Sequence, residues 1–240
     1  MKYRSLLFDL HFTLIKLRNT PAELFVSVAK SQNIEVEVEA VAEALEAASK
    51  VECSEINKTL NSEKTLKAFW IKFYKNVLLK LKPNLSDATC DEFGKKMNDN
   101  FFEHSENFEV IEGVTDLLRD LKAQNIKLAV LTNSTRGVHK IITDVGLREY
   151  FDEVFISTEI GFSKPDPRII THCIDKMAVQ RHECLLIGDS FESDILTGYF
   201  SGIDTCWFSS KTKPTKSEYT PTFQIGTLDV STFKKVVGVA

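Results

Sequence analysis

The chain has 240 residues, 43% of them hydrophobic, enough to bury a sizeable core as one large domain or as one domain carrying an insertion. Thirty Lys and Arg against 34 Asp and Glu leave a formal charge of −4, which gives no general nucleic-acid footprint. The five cysteines (Cys53, Cys90, Cys173, Cys184 and Cys206) are odd in number and form no CxxC pair, so they fit reduced thiols better than a disulfide framework or a zinc site.

Residues 3–9 read as a buried strand that ends where Asp9 emerges. No secretory signal fits the N-terminus, and no apolar stretch approaches the roughly 18 residues of a membrane span, so a cytoplasmic protein with no membrane partner is expected. Residues 18–105 contain no glycine before Gly94 and read as consecutive helices. "TPAELFVSVAKSQN" opens with a threonine cap and a proline in the first turn. "EVEAVAEALEAASK", "SEKTLKAFWIKFYKNVLLKLK" and "LSDATCDEFGKKMNDNFFEH" follow. In the third of these segments Leu66, Phe69, Trp70, Phe73, Val77 and Leu81 recur at helical spacing. That is the pattern of helix packing, with one ligand-facing aromatic as the alternative.

Beyond residue 105 the texture changes. "GVTDLLRDLKAQN" places Val114, Leu117, Leu118 and Leu121 on one helical face, with Asn125 as a stop. Residues 126–132, 153–157 and 183–188 are nearly continuous apolar runs, which suit strands covered on both faces. "PRIITHCIDKM" and "SDILTGYFSG" read as helices between or after them, and the Thr-, Lys- and Pro-rich segment 209–222 as a surface loop with a short strand. Strand and helix alternating in this way predicts a doubly wound, Rossmann-like α/β core with a mainly parallel sheet. Residues 1–17 and 106–240 supply that core, and the all-helical block 18–105 is inserted after its first strand.

Three predicted strand ends carry polar residues suited to one chemistry. Asp9 follows "SLLF", Thr132 and Asn133 follow "KLAVL", and Asp189 follows "CLLIG". Ligands bind outside the carboxyl ends of strands in open parallel sheets, near the point where strand order reverses. A single Asp there reads equally well as a helix cap. Two acids and a Thr-Asn pair at three strand ends, with Lys164 in "GFSKPDP", argue for a site instead. Asp9, Asp189 and Asp194 brought together would repel one another without a cation among them. Oxygen ligands without clustered His or Cys favour Mg²⁺, and Thr132, Asn133 and Lys164 are suited to holding a phosphoryl group.

On these residues the chain resembles the haloacid dehalogenase superfamily. Its first motif, DxDxT, stands here as Asp9-Leu10-His11-Phe12-Thr13; its second is matched by Thr132. Lys164 in "SKPDP" matches the third, and "GDSFESD", with Asp189 and Asp194, the fourth. "EIGFSKPDPRI" and "IGDSFESDILTG" are similar to the branch holding N-acylneuraminate-9-phosphatase and small nucleotide phosphatases. The helical block resembles that family's C1 cap. The resemblance implies that Asp9 attacks phosphorus and that Asp9, the backbone carbonyl of His11 and Asp189 bind Mg²⁺, with Asp194 in support. It also implies that Thr132, Asn133 and Lys164 hold the phosphate.

The first motif departs from the pattern twice. His11 replaces the second Asp, the family's general acid and base, and an imidazole titrating near 6.5 is able to take over that work or to fail at it. Phe12 replaces a small or turn-compatible residue. Halide displacement fits poorly, because the metal-binding "GDSFESD" is retained. The expected activity is a Mg²⁺-dependent phosphatase that hydrolyses a small phosphorylated metabolite through an aspartyl phosphate. The alternative is a catalytically weakened member that binds a phosphorylated ligand or partner with little turnover. Arg18, Lys67, Trp70 and Lys72 are the candidate substrate contacts from the helical block. The sequence leaves the substrate and the oligomeric state open.

Overall fold

Leu6, Leu7 and Phe8 explain why the apolar runs are continuous rather than alternating. Successive side chains of a strand point to opposite faces of its sheet. Leu6 and Phe8 enter one hydrophobic cluster with Leu128, Val130, Leu185 and Ile187. Leu7 enters another with Ala129, Leu131 and Leu186. A strand buried on both faces has no parity left for polar residues.

The computed structural model describes residues 2–56, 62–209 and 218–238, with the backbone alone over 51–56. The chain begins with β1 (Ser5–Phe8), β2 (Ile15–Leu17), α1 (Pro21–Lys30), α2 (Val38–Ile56), α3 (Glu63–Leu81), α4 (Asp87–Phe102) and β3 (Phe108–Val110). There follow α5 (Val114–Ala123), β4 (Lys127–Thr132), α6 (Gly137–Asp144), β5 (Glu153–Ile156), α7 (Ser157–Ile160) and α8 (Arg168–Met177). The last elements are β6 (Cys184–Gly188), α9 (Leu196–Ser201), β7 (Asp204–Phe208), β8 (Phe223–Ile225) and α10 (Val230–Val237). The predicted strands are present, each one to three residues shorter than its apolar run. The segment expected as helix from Ser193 opens instead as a π-helical turn, Phe191–Ile195, before α9. Of the predicted loop 209–222, residues 210–217 lie outside the described residues; the rest of it holds no strand, and β8 begins just beyond it at Phe223.

Six strands form one sheet in the order β5-β4-β1-β6-β7-β8, with every pairing parallel. Helices cover both faces. Leu118 of α5, Ile141 of α6 and Phe233 of α10 join the first cluster, while Ile169, Ile170 and Cys173 of α8 join the second. The predicted face of α5, Val114, Leu117, Leu118 and Leu121, is buried throughout. Burying each such side chain is worth about 1.5–3 kcal/mol relative to leaving it exposed. The chain lays β4 and β5 on one side of β1, then returns through α8 to build β6 on the other. The strand order therefore reverses at β1, where a ligand crevice opens in such sheets.

The helical stretch rests on local signals. The Thr20 hydroxyl accepts the Glu23 amide at 3.2 Å, and the Glu23 carboxylate accepts the Thr20 amide at 2.7 Å, a reciprocal cap ahead of Pro21. Gly94 has a packing reason: a Cβ there would lie 2.4 Å from the Ile71 carbonyl oxygen, so α3 and α4 approach closely only with glycine. Of the α3 stripe, Leu66, Phe73 and Val77 are buried, whereas Phe69, Trp70 and Leu81 are half-buried. The chain enters this stretch through β2 and leaves it through β3, and these two strands pair antiparallel, Ile15 with Val110 and Leu17 with Phe108. The expected boundaries at 17/18 and 105/106 fall at the end of β2 and just ahead of β3.

Cys90, Cys173, Cys184 and Cys206 are buried free thiols; the Cys53 side chain lies outside the described ones. Among the described residues no helix is long and apolar enough to cross a membrane.

Candidate active site

Strand register gathers the polar ends. Phe8, the last residue of β1, lies opposite Val130 of β4 and Ile187 of β6, and the Asp9 amide donates to the Ile187 carbonyl at 2.8 Å. Asp9, Thr132 and Asp189 thus emerge side by side at the carboxyl edge of the central strands. After Asp9 the chain turns sharply, with the Leu14 and Ile15 amides both donating to the Leu10 carbonyl, at 2.9 and 3.0 Å. Phe12 adopts φ of 64° within that turn. Its ring therefore does not break the loop; the backbone takes a left-handed conformation that is an outlier for a bulky residue. Thr13 fastens the loop to its neighbour. Its hydroxyl donates to an Asp189 carboxylate oxygen at 3.3 Å and accepts the Asp189 amide at 3.1 Å.

Lys164 lies at the centre of the site, only 1% exposed. Its ammonium donates to Asp9 at 2.7 Å and to Asp194 at 2.5 Å. Burial alone would lower its pKa, but the Asp194 and Asp9 carboxylates overcome burial and hold it protonated. Asn133 positions it: the Asn133 amide group donates to the Lys164 carbonyl, and its side-chain oxygen accepts the Lys164 amide, both at 2.9 Å. The Asn133 side chain is thus engaged with the Lys164 backbone. Asp194 sits on the π-helical turn, a feature frequent at functional sites. Its second carboxylate oxygen accepts the Ser190 amide at 3.0 Å. Gly188 makes room for it, since a Cβ at 188 would fall 2.1 Å from the Asp194 carboxylate.

Oxygen atoms of Asp9, Asp189 and Asp194 lie within 4.8 Å of one another. Burial, reinforced for Asp189 by Asp9 and Asp194, pushes the Asp189 and Asp194 carboxyls above the usual carboxylate range. When all three are ionised, three carboxylates against one ammonium leave two negative charges uncompensated. A divalent cation matches that charge, and the hard oxygen donors suit Mg²⁺. The residues present fit the ion.

His11 has a different setting from the carboxylates. Its ring stacks on Phe101 at 5.3 Å between centroids and 26° between planes, and meets Phe108 edge-on at 5.3 Å. Nε2 is enclosed without a hydrogen-bond partner. Burial lowers its pKa to about 4, with Asp9 opposing and Lys164 adding to the shift. The sequence left the charge of this imidazole open; enclosure makes it neutral near pH 7.

A cavity of about 270 Å³ joins these parts. All seven residues singled out from the sequence, Asp9, His11, Thr132, Asn133, Lys164, Asp189 and Asp194, line it. Trp70 also lines it, as the ligand-facing alternative for the α3 stripe foresaw. The other helical candidates are engaged elsewhere or absent from the lining. Arg18 donates to the Glu106 carbonyl and pairs with Glu109, and Lys67 bridges Glu63 and Glu103. Lys72 is not among the lining residues. Sequence reasoning missed Phe101, Phe102, Ser190 and Ser193, which line the cavity, and Trp207, whose indole N–H donates to the Asp189 carbonyl at 2.8 Å. Ser190 and Ser193 lie inside the "GDSFESD" spacing and were within reach of that motif. Trp207 carried no local signal.

Residues 6–208 match the family described as haloacid dehalogenase-like hydrolase. YfnB of Bacillus subtilis (strain 168), named as a HAD-hydrolase, is 26% identical over 238 residues, 95% of this chain and 93% of its own length. Haloacid dehalogenase-like hydrolase domain-containing protein 3 of Mus musculus is 30% identical over 198 residues, 81% of this chain and 77% of its own. A shorter match, 33% over 100 residues, 41% of this chain and 40% of the other, is to N-acylneuraminate-9-phosphatase of Rattus norvegicus, from the branch the motifs resemble. The crystal structure of YfnB bound to magnesium shares the fold, with a TM-score of 0.77 at 24% identity over 95% of this chain and 96% of that one. With its motif residues drawn to one sheet edge and the match running through nearly all of its strands, the chain belongs to the haloacid dehalogenase-like hydrolases.

Proposed function

We propose that this hydrolase is a Mg²⁺-dependent phosphatase acting on a small phosphorylated metabolite through an aspartyl phosphate. The observation that carries the reading is the buried group of Asp9, Asp189 and Asp194 around one ammonium, with two negative charges in excess. Asp9, the His11 carbonyl, Asp189 and Asp194 are the residues that would hold Mg²⁺, and the magnesium-bound structure of YfnB supports the choice of metal. When bound, the ion would neutralise charge between the carboxylates and the phosphoryl group.

In the first step one Asp9 oxygen attacks phosphorus, the ester P–O bond breaks, and the departing oxygen takes a proton from solvent water. Lys164, with Thr132 beside it, compensates the equatorial oxygens, where charge accumulates. Water then attacks the aspartyl phosphate, its P–O bond to Asp9 breaks, and the carboxylate returns with release of phosphate. A neutral His11 is able to accept the proton of that water, which suits the second step better than protonation of the leaving group in the first.

The enclosure of His11 also favours a second reading, a weakened member that binds a phosphorylated ligand and turns it over slowly. Phosphate release from p-nitrophenyl phosphate separates the two. Phosphatase activity predicts turnover that EDTA abolishes, that Mg²⁺ restores and that Asp9→Asn removes with the fold intact. Full activity in EDTA, or wild-type turnover by Asp9→Asn, overturns the assignment. Binding without turnover establishes the second reading.

A further inference from the structure

The cavity has two chemically opposite sides. One is the ionic floor around Asp9, Lys164, Asp189 and Asp194. The other is a wall of rings formed by Phe12, Trp70, Phe101 and Phe102. Phe101 lies between Trp70 and His11, nearly parallel to both, at 23° and 26°. Phe102 leans on Phe101 at 5.0 Å between centroids and on Trp70 at 6.1 Å. Among the described residues, the helical stretch contributes no charged side chain to the lining. Arg18 and Lys67, candidates for that role from the sequence, are held in ion pairs. A carboxylate or ammonium carried on the leaving group would lose its water against this wall, and among the described residues of the helical stretch none that lines the cavity offers it a countercharge.

Phe12 adds an independent observation. Its φ of 64° costs backbone strain, and its ring is 41% exposed, so the position carries two penalties that glycine or asparagine would avoid. Both penalties keep an aromatic face at the rim of the cavity. An occupant laid against that face removes its apolar surface from water.

We infer that the aromatic wall is the leaving-group subsite and that the substrate is a phosphate ester of an uncharged, flat, largely apolar group, with Phe12 and Trp70 as specificity-determining residues. The inference rests on the phosphatase reading for the position of the phosphate. Size agrees with it: a cavity of about 270 Å³ has room for a phosphoryl group and a small ring.

Phosphonates, which have no ester bond to cleave, test the wall apart from turnover. Calorimetry in Mg²⁺ should show phenylphosphonate binding at least about tenfold tighter than methylphosphonate. 4-Carbamoylphenylphosphonate should bind at least about tenfold tighter than 4-carboxyphenylphosphonate, because only the second brings a charge to the wall. Phe12→Gly should fold at least as stably as wild type, with the left-handed strain relieved, and yet show a smaller phenyl-over-methyl ratio. Trp70→Leu should reduce that ratio as well. A ratio near one in wild type, equal binding of the carboxylate and the amide, an undiminished ratio in Phe12→Gly, or no binding of either parent phosphonate overturns the inference. Failure of the phosphatase reading shows separately, as absence of Asp9-dependent phosphate release from aryl phosphates while the phosphonate ratios stand.

Discussion

Lys164→Met keeps most of the side-chain volume and deletes the charge that two carboxylates share. In the native protein the ammonium is 1% exposed and donates to Asp9 and Asp194 at 2.7 and 2.5 Å. Without it the uncompensated charge of the buried group rises from two to three. Removing one partner of a buried ion pair costs roughly 3–5 kcal/mol, because the remaining charge stays desolvated. With a urea slope of about 2–3 kcal/mol per molar, the unfolding midpoint in EDTA should fall by about 1–2.5 M. Asp194→Asn removes one of the charges that Lys164 offsets, so the double variant should lose less than the two single variants added together. Mg²⁺ should recover part of the loss in Lys164→Met, since it supplies positive charge to the same carboxylates. Urea unfolding followed by circular dichroism, with and without Mg²⁺, reads all three quantities. If Lys164→Met stays within about 1 kcal/mol of wild type in EDTA, the carboxylates are not held charged together and the account of the site is wrong.

Other outcomes are as definite. His11→Asp should raise kcat about tenfold or more on esters with poor leaving groups, part of the 10²–10⁴ that a general acid supplies, and less on p-nitrophenyl phosphate; a rate no higher than His11→Ala removes the proton-transfer role. The same variant should lose at least about 1 kcal/mol of stability in urea without Mg²⁺, because it gives up the ring contact with Phe101 and adds a buried carboxylate beside Asp9. Gly188→Ala drives a methyl group into the Asp194 carboxylate, so it should cost about 1–3 kcal/mol by urea unfolding and weaken Mg²⁺ binding by calorimetry. Tyr3 donates to Asp204 at 2.7 Å, and burial followed by that bond pushes its pKa from 10.0 to about 12. Its neutral form is the one favoured by folding, so this contribution is complete below pH 10 and lost as pH rises from 10 to 12. Urea midpoints across that window should show a slope that Tyr3→Phe reduces.

Some of this was legible in the chain and some was not, for physical reasons. The double burial of Leu6 to Phe8 and the face of α5 are statements about hydrophobic periodicity, which is local and survives folding unchanged. The same holds for the Thr20 cap, whose partner is three residues away. Asp9, Thr132, Asn133 and Asp189 were legible because each stands at the end of an apolar strand, and a parallel sheet brings strand ends together; His11, Lys164 and Asp194 were legible from motif spacing. Long-range choices were not. Trp207 reaches the Asp189 carbonyl from the neighbouring strand, and nothing around Trp207 announces it. The stripe on α3 defines a face but not which ring of that face meets the cavity; Trp70 does and Phe69 does not. The charge of His11 is set by Phe101 and Phe108, about a hundred residues away in the chain. Asn133 read as a phosphate donor from its type alone, whereas its amide is turned onto the Lys164 backbone.

The antiparallel pair β2–β3 gives the sheet a particular tolerance. Everything between Leu17 and Phe108 leaves and returns through hydrogen-bonded neighbours, so from the sheet's side the entire helical stretch is one loop whose ends are already joined. The entropy of closing a loop grows only with the logarithm of its length, about 0.6 kcal/mol for each doubling. Helices can therefore be gained, lost or exchanged above the ribbon at small cost to the strands that lead to Asp9, Thr132 and Asp189. The wall that faces the substrate and the floor that performs the chemistry are thus free to change at different rates.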